Sequence, residues 1–300
     1  MELDRQKHCL PEADHQRIFE RSILPRLFAD AARVDDPVVV MFGGQPGSGK
    51  SAAIADAVAV LKAHGGGVEI IGDDLRSFHP KYAALLASDD QTAAFYTDLD
   101  AGRWVEKAIQ HASSKRYNVV LEGTFRQSDV VAATMTRFRQ EGYRVDARAL
   151  AVSKHMSHQG VVERYEKQRA QFGNGRMTTP KAHLDAYEGM LLTVERIESG
   201  KLADSIRLYR RGGVEIYVNE LDAGEWRQAP EARKALEAER DRPWSMREHQ
   251  EYTAGWLRIQ KMLRAPGRNA TEAELKAAAE ASQLRNALPL RNANSTSRGR

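Results

Sequence analysis

Val38-Val39-Val40-Met41-Phe42-Gly43-Gly44-Gln45-Pro46-Gly47-Ser48-Gly49-Lys50-Ser51 joins an apolar run to a complete G-x-x-x-x-G-K-[ST] phosphate-binding loop. Its parts do separate jobs. A buried strand delivers the chain, glycines let the backbone fold around phosphate oxygens, and a helix opening at Lys50 offers free N–H groups. Lys50 adds a point charge for the β- and γ-phosphates, and the Ser51 hydroxyl suits Mg²⁺. Gly44, Gln45, Pro46, Gly47, Ser48, Gly49, Lys50 and Ser51 are therefore expected to cradle a nucleotide. The loop alone does not say which reaction follows.

Outward from it, short apolar runs alternate with helix-length stretches. Ile18, Ile23, Leu24, Leu27 and Phe28 recur at helical spacing, predicting an N-terminal helical segment broken near Pro25. Strands are expected over 38–42, 68–71, 118–121, 143–152, 206–210 and 214–218, and helices over 50–63, 91–113, 128–141, 154–171 and 181–199. Residues 173–179 read as a mobile loop closed by Pro180. Such alternation implies an α/β, P-loop kinase-type three-layer fold with a mostly parallel sheet. Residues 1–36 are expected as a helical segment, 37–220 as the P-loop domain, 221–285 as a helical extension and 286–300 as a disordered tail.

Charge follows the same division. Residues 221–300 hold 15 basic and 11 acidic side chains, so the net +4 of the 300-residue chain belongs to the extension, and 1–220 is neutral. A surplus spread that thinly argues against a nucleic-acid partner. Cys9 is the only cysteine, which excludes a disulfide framework and a cysteine zinc site. The N-terminus lacks the apolar core of a signal peptide, and no stretch approaches the ~20 apolar residues that span a bilayer. A cytoplasmic protein without a membrane partner is expected.

Ligands of parallel sheets sit beyond the carboxyl ends of the strands, so the residues after each strand are candidates. Gly72-Asp73-Asp74 follows the second and Glu122-Gly123-Thr124-Phe125-Arg126 the third. No Asn-Lys-x-Asp guanine reader is present, and the run ending at Glu122 lacks the Asp-Glu close of motor-type ATPases. A small-molecule kinase needs a carboxylate at the acceptor hydroxyl and cations over the γ-phosphate. Asp73 suits the first role, with Asp74 left to cap the next helix. Arg164, on a helix, and Arg176, in the glycine-bearing loop after it, suit the second as a lid. Surface pairing with neighbouring glutamates is the alternative for these arginines.

Several ordered stretches resemble the zeta toxins of bacterial toxin–antitoxin systems, P-loop kinases that phosphorylate UDP-N-acetylglucosamine. They are Gly43–Ser51, Gly72-Asp73-Asp74-Leu75-Arg76-Ser77-Phe78-His79-Pro80, Glu122-Gly123-Thr124 with Arg126, Val162-Glu163-Arg164-Tyr165-Glu166, Thr179-Pro180-Lys181 and Ser205-Ile206-Arg207-Leu208-Tyr209. The resemblance runs from about Val38 to Tyr209. It implies ATP and Mg²⁺ as cofactors, Asp73 as base, and Lys50, Arg164 and Arg176 on phosphate. It also implies Glu122 in the active centre, and Glu106, Thr124, Arg126 and Thr134 at the sugar-nucleotide site. A small antitoxin protein is the implied partner. Two departures stand out: the Arg164–Arg176 spacing is one residue shorter than in familiar members, and 221–300 is expected to have no counterpart in the compact toxins. Other readings stay open, namely a kinase of the same architecture acting on another acceptor, or a nucleotide-binding module that has lost catalysis.

Overall fold

The computed structural model describes residues 4–283, and the expected tail at 286–300 lies outside them. Five parallel strands form the body of one sheet: β1 (Val38–Gly43), β2 (Val68–Ile71), β3 (Val119–Glu122), β4 (Arg144–Ala151) and β5 (Ser205–Arg210). β6 (Glu215–Asp222) and β7 (Glu225–Trp226) continue it antiparallel, in the order β2-β3-β1-β4-β5-β6-β7. The sheet thus runs past residue 220. The helices are α1 (Glu12–Ile18), α2 (Leu24–Leu27), α3 (Lys50–Lys62), α4 (Gly72–Leu75), α5 (Tyr82–Ser88), α6 (Ala93–Lys115), α7 (Ser128–Gln140), α8 (Lys154–Phe172), α9 (Pro180–Ser199), α10 (Ala232–Asp241), α11 (Met246–Leu263) and α12 (Glu272–Gln283). This is the expected α/β architecture. Among the described residues no helix is long and apolar enough to cross a membrane.

Strand period explains why β1 shows no polar alternation. Its odd and even residues point to opposite faces, and both faces are covered. Val39 and Met41 join Trp104 of α6, Met135 and Phe138 of α7, and Met190 and Val194 of α9. Val40 and Phe42 join Ile54, Ala57 and Leu61 of α3. Register then sets the site. Phe42 lies beside Glu122, and Glu122 beside Ile71. The phosphate loop, Glu122 and Gly72-Asp73 therefore leave neighbouring strands side by side at the sheet's carboxyl edge.

The N-terminal segment does not break at Pro25. α1 and α2 are joined by a π-helical turn, Phe19–Ile23, in which the Leu24 N–H donates to Phe19 O. Pro25 then follows in α2, directly after the wider turn. The helical path widens ahead of the proline and continues.

The extension packs on the sheet domain. α10 lies on α9 and on β4, β5 and β6, and α11 lies on α8. Trp244, Tyr252, Trp256, Ile259, Leu263 and Ala278 form a third apolar cluster, with Met156 and Val162 of α8 against it. Polar ties reinforce this contact. Arg268 grips Glu166 through bonds of 2.8 and 2.9 Å, and Arg258 Nε meets Glu163 at 2.9 Å. Gln159 donates to the Tyr252 carbonyl at 2.5 Å.

Candidate active site

The phosphate loop is shaped by what presses on it. Gly47 and Gly49 have φ of +77° and +93°, a region side chains rarely adopt. α8 crosses so closely that a Cβ at Gly160 would strike the Gly47 carbonyl. The N-cap of α3 is Gly49, with no side chain on the free N–H groups, so an oxyanion can take them. Ser48 Oγ is buried without a partner. Lys50 Nζ donates to Gly44 O at 2.6 Å and lies 3.4 Å from Glu122 Oε1. Burial pushes this ammonium below its ordinary range, and Glu122 works against that shift.

Gln45 turns its side chain away from the loop mouth. It donates to Val152 O at 2.7 Å and to Ser157 Oγ at 3.2 Å, and accepts from Arg240 of α10 at 3.4 Å. Only its backbone remains for a phosphate. Ser51, the first residue after Lys50, is exposed. Its hydroxyl could hold a metal ion.

Asp73 stands at the start of α4. Neither it nor Asp74 caps that helix, whose N-cap is Ile71 with no side-chain bond. The cap expected of Asp74 is absent because the extended end of β2 leads directly into the turn. Asp73 instead holds two guanidiniums, Arg76 Nε at 3.1 Å and Arg176 Nη1 at 2.9 Å. Burial pushes its carboxyl up, but Arg176 and Arg76 outweigh that and leave it below the ordinary range.

Arg164 donates to Thr178 Oγ1 at 3.0 Å, while its Nε is buried without a partner. Burial, with Arg176 adding repulsion, pushes it down to about 10. Asp73 and Glu122 oppose that shift, as does Tyr82. Lys50, Asp73, Glu122, Arg164 and Arg176 thus share one electrostatic cluster.

The acceptor-side residues are less closely drawn together. Arg126 lies 4.0 Å from Asp98 Oδ2, and Asp98 accepts from Arg76 Nη2 at 2.7 Å, which links Arg126 to Asp73. Thr124 is half-buried in the loop after β3. Glu106 is exposed on α6, beside Val105, which packs on Gly72. Thr134 spends its hydroxyl on Val130 O of its own helix at 2.8 Å. The structure does not bring Glu106 or Thr134 into contact with the cluster.

Three neighbours have no role in the sequence reading. Arg76 bridges Asp73 and Asp98. Tyr82 lies in the field of Arg176, Arg76 and Asp73, although burial dominates and pushes its phenol up. Arg211, in the β5–β6 turn, donates to Gly47 O at 3.1 Å. Arg76 carries a weak signal, since it lies one helical turn after Asp73. Arg211 follows a strand exit, the rule that marks Asp73 and Glu122.

Comparison with known proteins bears on the family and the fold. The zeta toxin family profile matches residues 26–222. The chain is 33% identical over 196 residues to toxin zeta of Enterococcus hirae, covering 65% of this chain and 68% of that protein. A solved structure from the PezAT chromosomal toxin–antitoxin system of Streptococcus pneumoniae matches with a TM-score of 0.72 at 24% identity, covering 86% of this chain and 100% of the other. Residues 1–220 alone do not supply 86% of a 300-residue chain. Part of the extension therefore has a structural counterpart there, contrary to the sequence expectation. The structure of AvrRxo1-ORF1:-ORF2 with ATP shares the fold at 14% identity and a TM-score of 0.54, covering 90% of each chain. A profile match over nearly two thirds of the sequence places this chain in the zeta toxin family, whose members are kinase-type toxins.

Proposed function

We propose that the protein is the toxin of a toxin–antitoxin pair and transfers the γ-phosphoryl group of ATP to the 3′-hydroxyl of the N-acetylglucosamine in UDP-N-acetylglucosamine, blocking peptidoglycan synthesis. One observation carries the reading: Asp73 lies between Arg76 and Arg176, in one cluster with Lys50, Glu122 and Arg164. The loop suits a triphosphate, given the partnerless Ser48 Oγ and the uncapped start of α3.

In this reading Asp73 accepts a hydrogen bond from the sugar hydroxyl and orients its oxygen toward the γ-phosphorus. The O–P bond forms as the bond to the β,γ-bridging oxygen breaks, ADP leaves, and the hydroxyl proton passes to Asp73. A carboxylate held below its ordinary range is a weak base. Its work is therefore orientation first and proton uptake late, as a loose phosphoryl transition state requires. Lys50, Arg164 and Arg176 meet the negative charge of the transferring group. Mg²⁺, when bound, would neutralise phosphate charge with Ser51 Oγ as its protein ligand. Among the described residues no three His, Cys, Asp or Glu side chains gather to hold an ion unaided, which suits an ion completed by phosphate and water oxygens.

Glu122, Thr124, Arg126, Glu106 and Thr134 would hold the sugar nucleotide. A small antitoxin protein is the proposed partner, and the cytoplasm the proposed setting. A second reading, a kinase for another acceptor, draws on the exposure of Glu106 and the internal bond of Thr134. Incubation of purified protein with ATP, Mg²⁺ and a panel of UDP-sugars, read by mass spectrometry, separates the two. Phosphate on UDP-N-acetylglucosamine supports the first. Phosphate on no UDP-sugar, from folded ATP-binding protein, rejects it.

A further inference from the structure

Asp90 has no part in the roles above, yet it is buried and fully engaged. It sits in the turn between α5 and α6, 7% exposed. Its two oxygens accept from Tyr165 Oη at 2.8 Å, Arg169 Nη1 at 3.0 Å and the Gly175 N–H at 3.0 Å. Arg169 also donates to Tyr165 Oη at 2.8 Å, which closes the cluster. All three donors belong to α8 or the loop after it, the segment that carries Arg164 and Arg176.

Gly175 directly precedes Arg176, whose own N–H donates to Gln168 Oε1 at 2.8 Å. Two consecutive amides of the loop are therefore held by side chains. The fit leaves no spare room, since a Cβ at Gly175 would stand 2.6 Å from Tyr165 O. The α5–α6 turn belongs to the Asp73 side of the site, where Arg76 bonds Asp98 of α6. Asp90 thus ties the loop bearing Arg176 to the half of the site that holds the base. A charged acceptor makes stronger hydrogen bonds than a neutral one.

We propose that Asp90 is a positioning residue for phosphoryl transfer: by holding the Gly175 amide it sets the loop from which Arg176 reaches the reacting centre. The proposal rests on the kinase reading above. Misplacing a catalytic guanidinium by about 1 Å costs on the order of a hundredfold in rate.

The test is a double-mutant cycle of Asp90→Asn with Arg176→Ala, read as kcat and KM for ATP with whichever acceptor the wild type phosphorylates, beside thermal unfolding of each variant. Asp90→Asn is expected to lower kcat about 10- to 100-fold, with KM for ATP changed by less than about threefold. In the Arg176→Ala background the same substitution should change kcat by less than about threefold, because its route is already cut. Equal losses in both backgrounds would mean that Asp90 only supports the fold, and would overturn the proposal. Limited trypsinolysis reads the loop without any acceptor. Asp90→Asn should expose the Arg176–Met177 bond to cleavage, and wild-type resistance in that variant contradicts the proposal even if no acceptor is found. If Asp90→Asn does not fold, Tyr165→Phe removes one donor and keeps the ring. Independence from Arg176 in that cycle overturns the proposal equally.

Discussion

Arg176 Nη1 lies 2.9 Å from Asp73 Oδ2, so the loop arginine assigned to the γ-phosphate also holds the assigned base. Burial alone would raise the Asp73 carboxyl, and the net downward shift is owed first to Arg176 and then to Arg76. A depressed carboxylate stays ionised as pH falls through its ordinary range near 4. The acidic limb of kcat/KM is therefore expected below pH ~4. In the residual activity of Arg176→Ala that limb should move upward, because burial then meets less opposition. A pH–rate profile of the two proteins checks this, and an unmoved or lowered limb counts against the pairing.

α8 presses on the phosphate loop where Gly160 faces Gly47 O. Gly160→Ala adds one methyl group at backbone contact, and overpacking of this kind costs about 1–3 kcal/mol. ATP affinity should weaken by roughly tenfold or more, with the fold retained. Calorimetric titration with ATP reads it directly. Unchanged affinity would mean that α8 does not set the loop.

The extension should be inseparable from the kinase domain. Glu166 is 2% exposed and neutralised by Arg268 from beyond α11. Removing one partner of such a buried pair costs about 3–5 kcal/mol. Arg268→Ala should lower the thermal midpoint clearly, and deletion of 221–300 should yield no soluble protein. A deletion variant that folds and is more toxic would identify the extension as an inhibitor.

Acid should loosen the loop's support. Burial pushes His183 down to about 4, with His158 and Arg240 contributing. Its Nε2 lies 2.9 Å from Ser157 Oγ, which accepts from Gln45. The folded state keeps this ring neutral while the unfolded chain protonates it near 6.5, so the unfolded state binds more protons between those values. Stability should fall as pH drops from about 6.5 to 4. Denaturant unfolding across that window checks the slope, which His183→Gln should flatten.

What the sequence shows plainly is whatever is local. The phosphate loop reads as a contiguous motif, and Asp73 and Glu122 follow from one rule about strand exits. The π-helical turn at Phe19–Ile23 escapes because Pro25 signals a break while neighbouring packing decides how the chain accommodates it. The supports of the site escape for a different reason. Asp90 meets Gly175 across 85 positions, and Arg211 meets Gly47 across 164. No spacing or periodicity encodes such meetings. Gln45 shows the limit within a motif, since its place in the loop suggests a phosphate contact and its side chain instead anchors to Val152 O and Ser157 Oγ.

The central claim is that Asp73 directs phosphate from ATP onto a sugar hydroxyl. Phosphorus and proton NMR of UDP-N-acetylglucosamine, after incubation with ATP, Mg²⁺ and either wild-type protein or Asp73→Asn, tests it most directly. The account predicts a phosphomonoester at the 3′ position with wild type, and a rate lower by about 10²- to 10⁴-fold with the variant at similar ATP affinity. Wild-type activity in Asp73→Asn, or phosphate at another position or on no sugar, would contradict it.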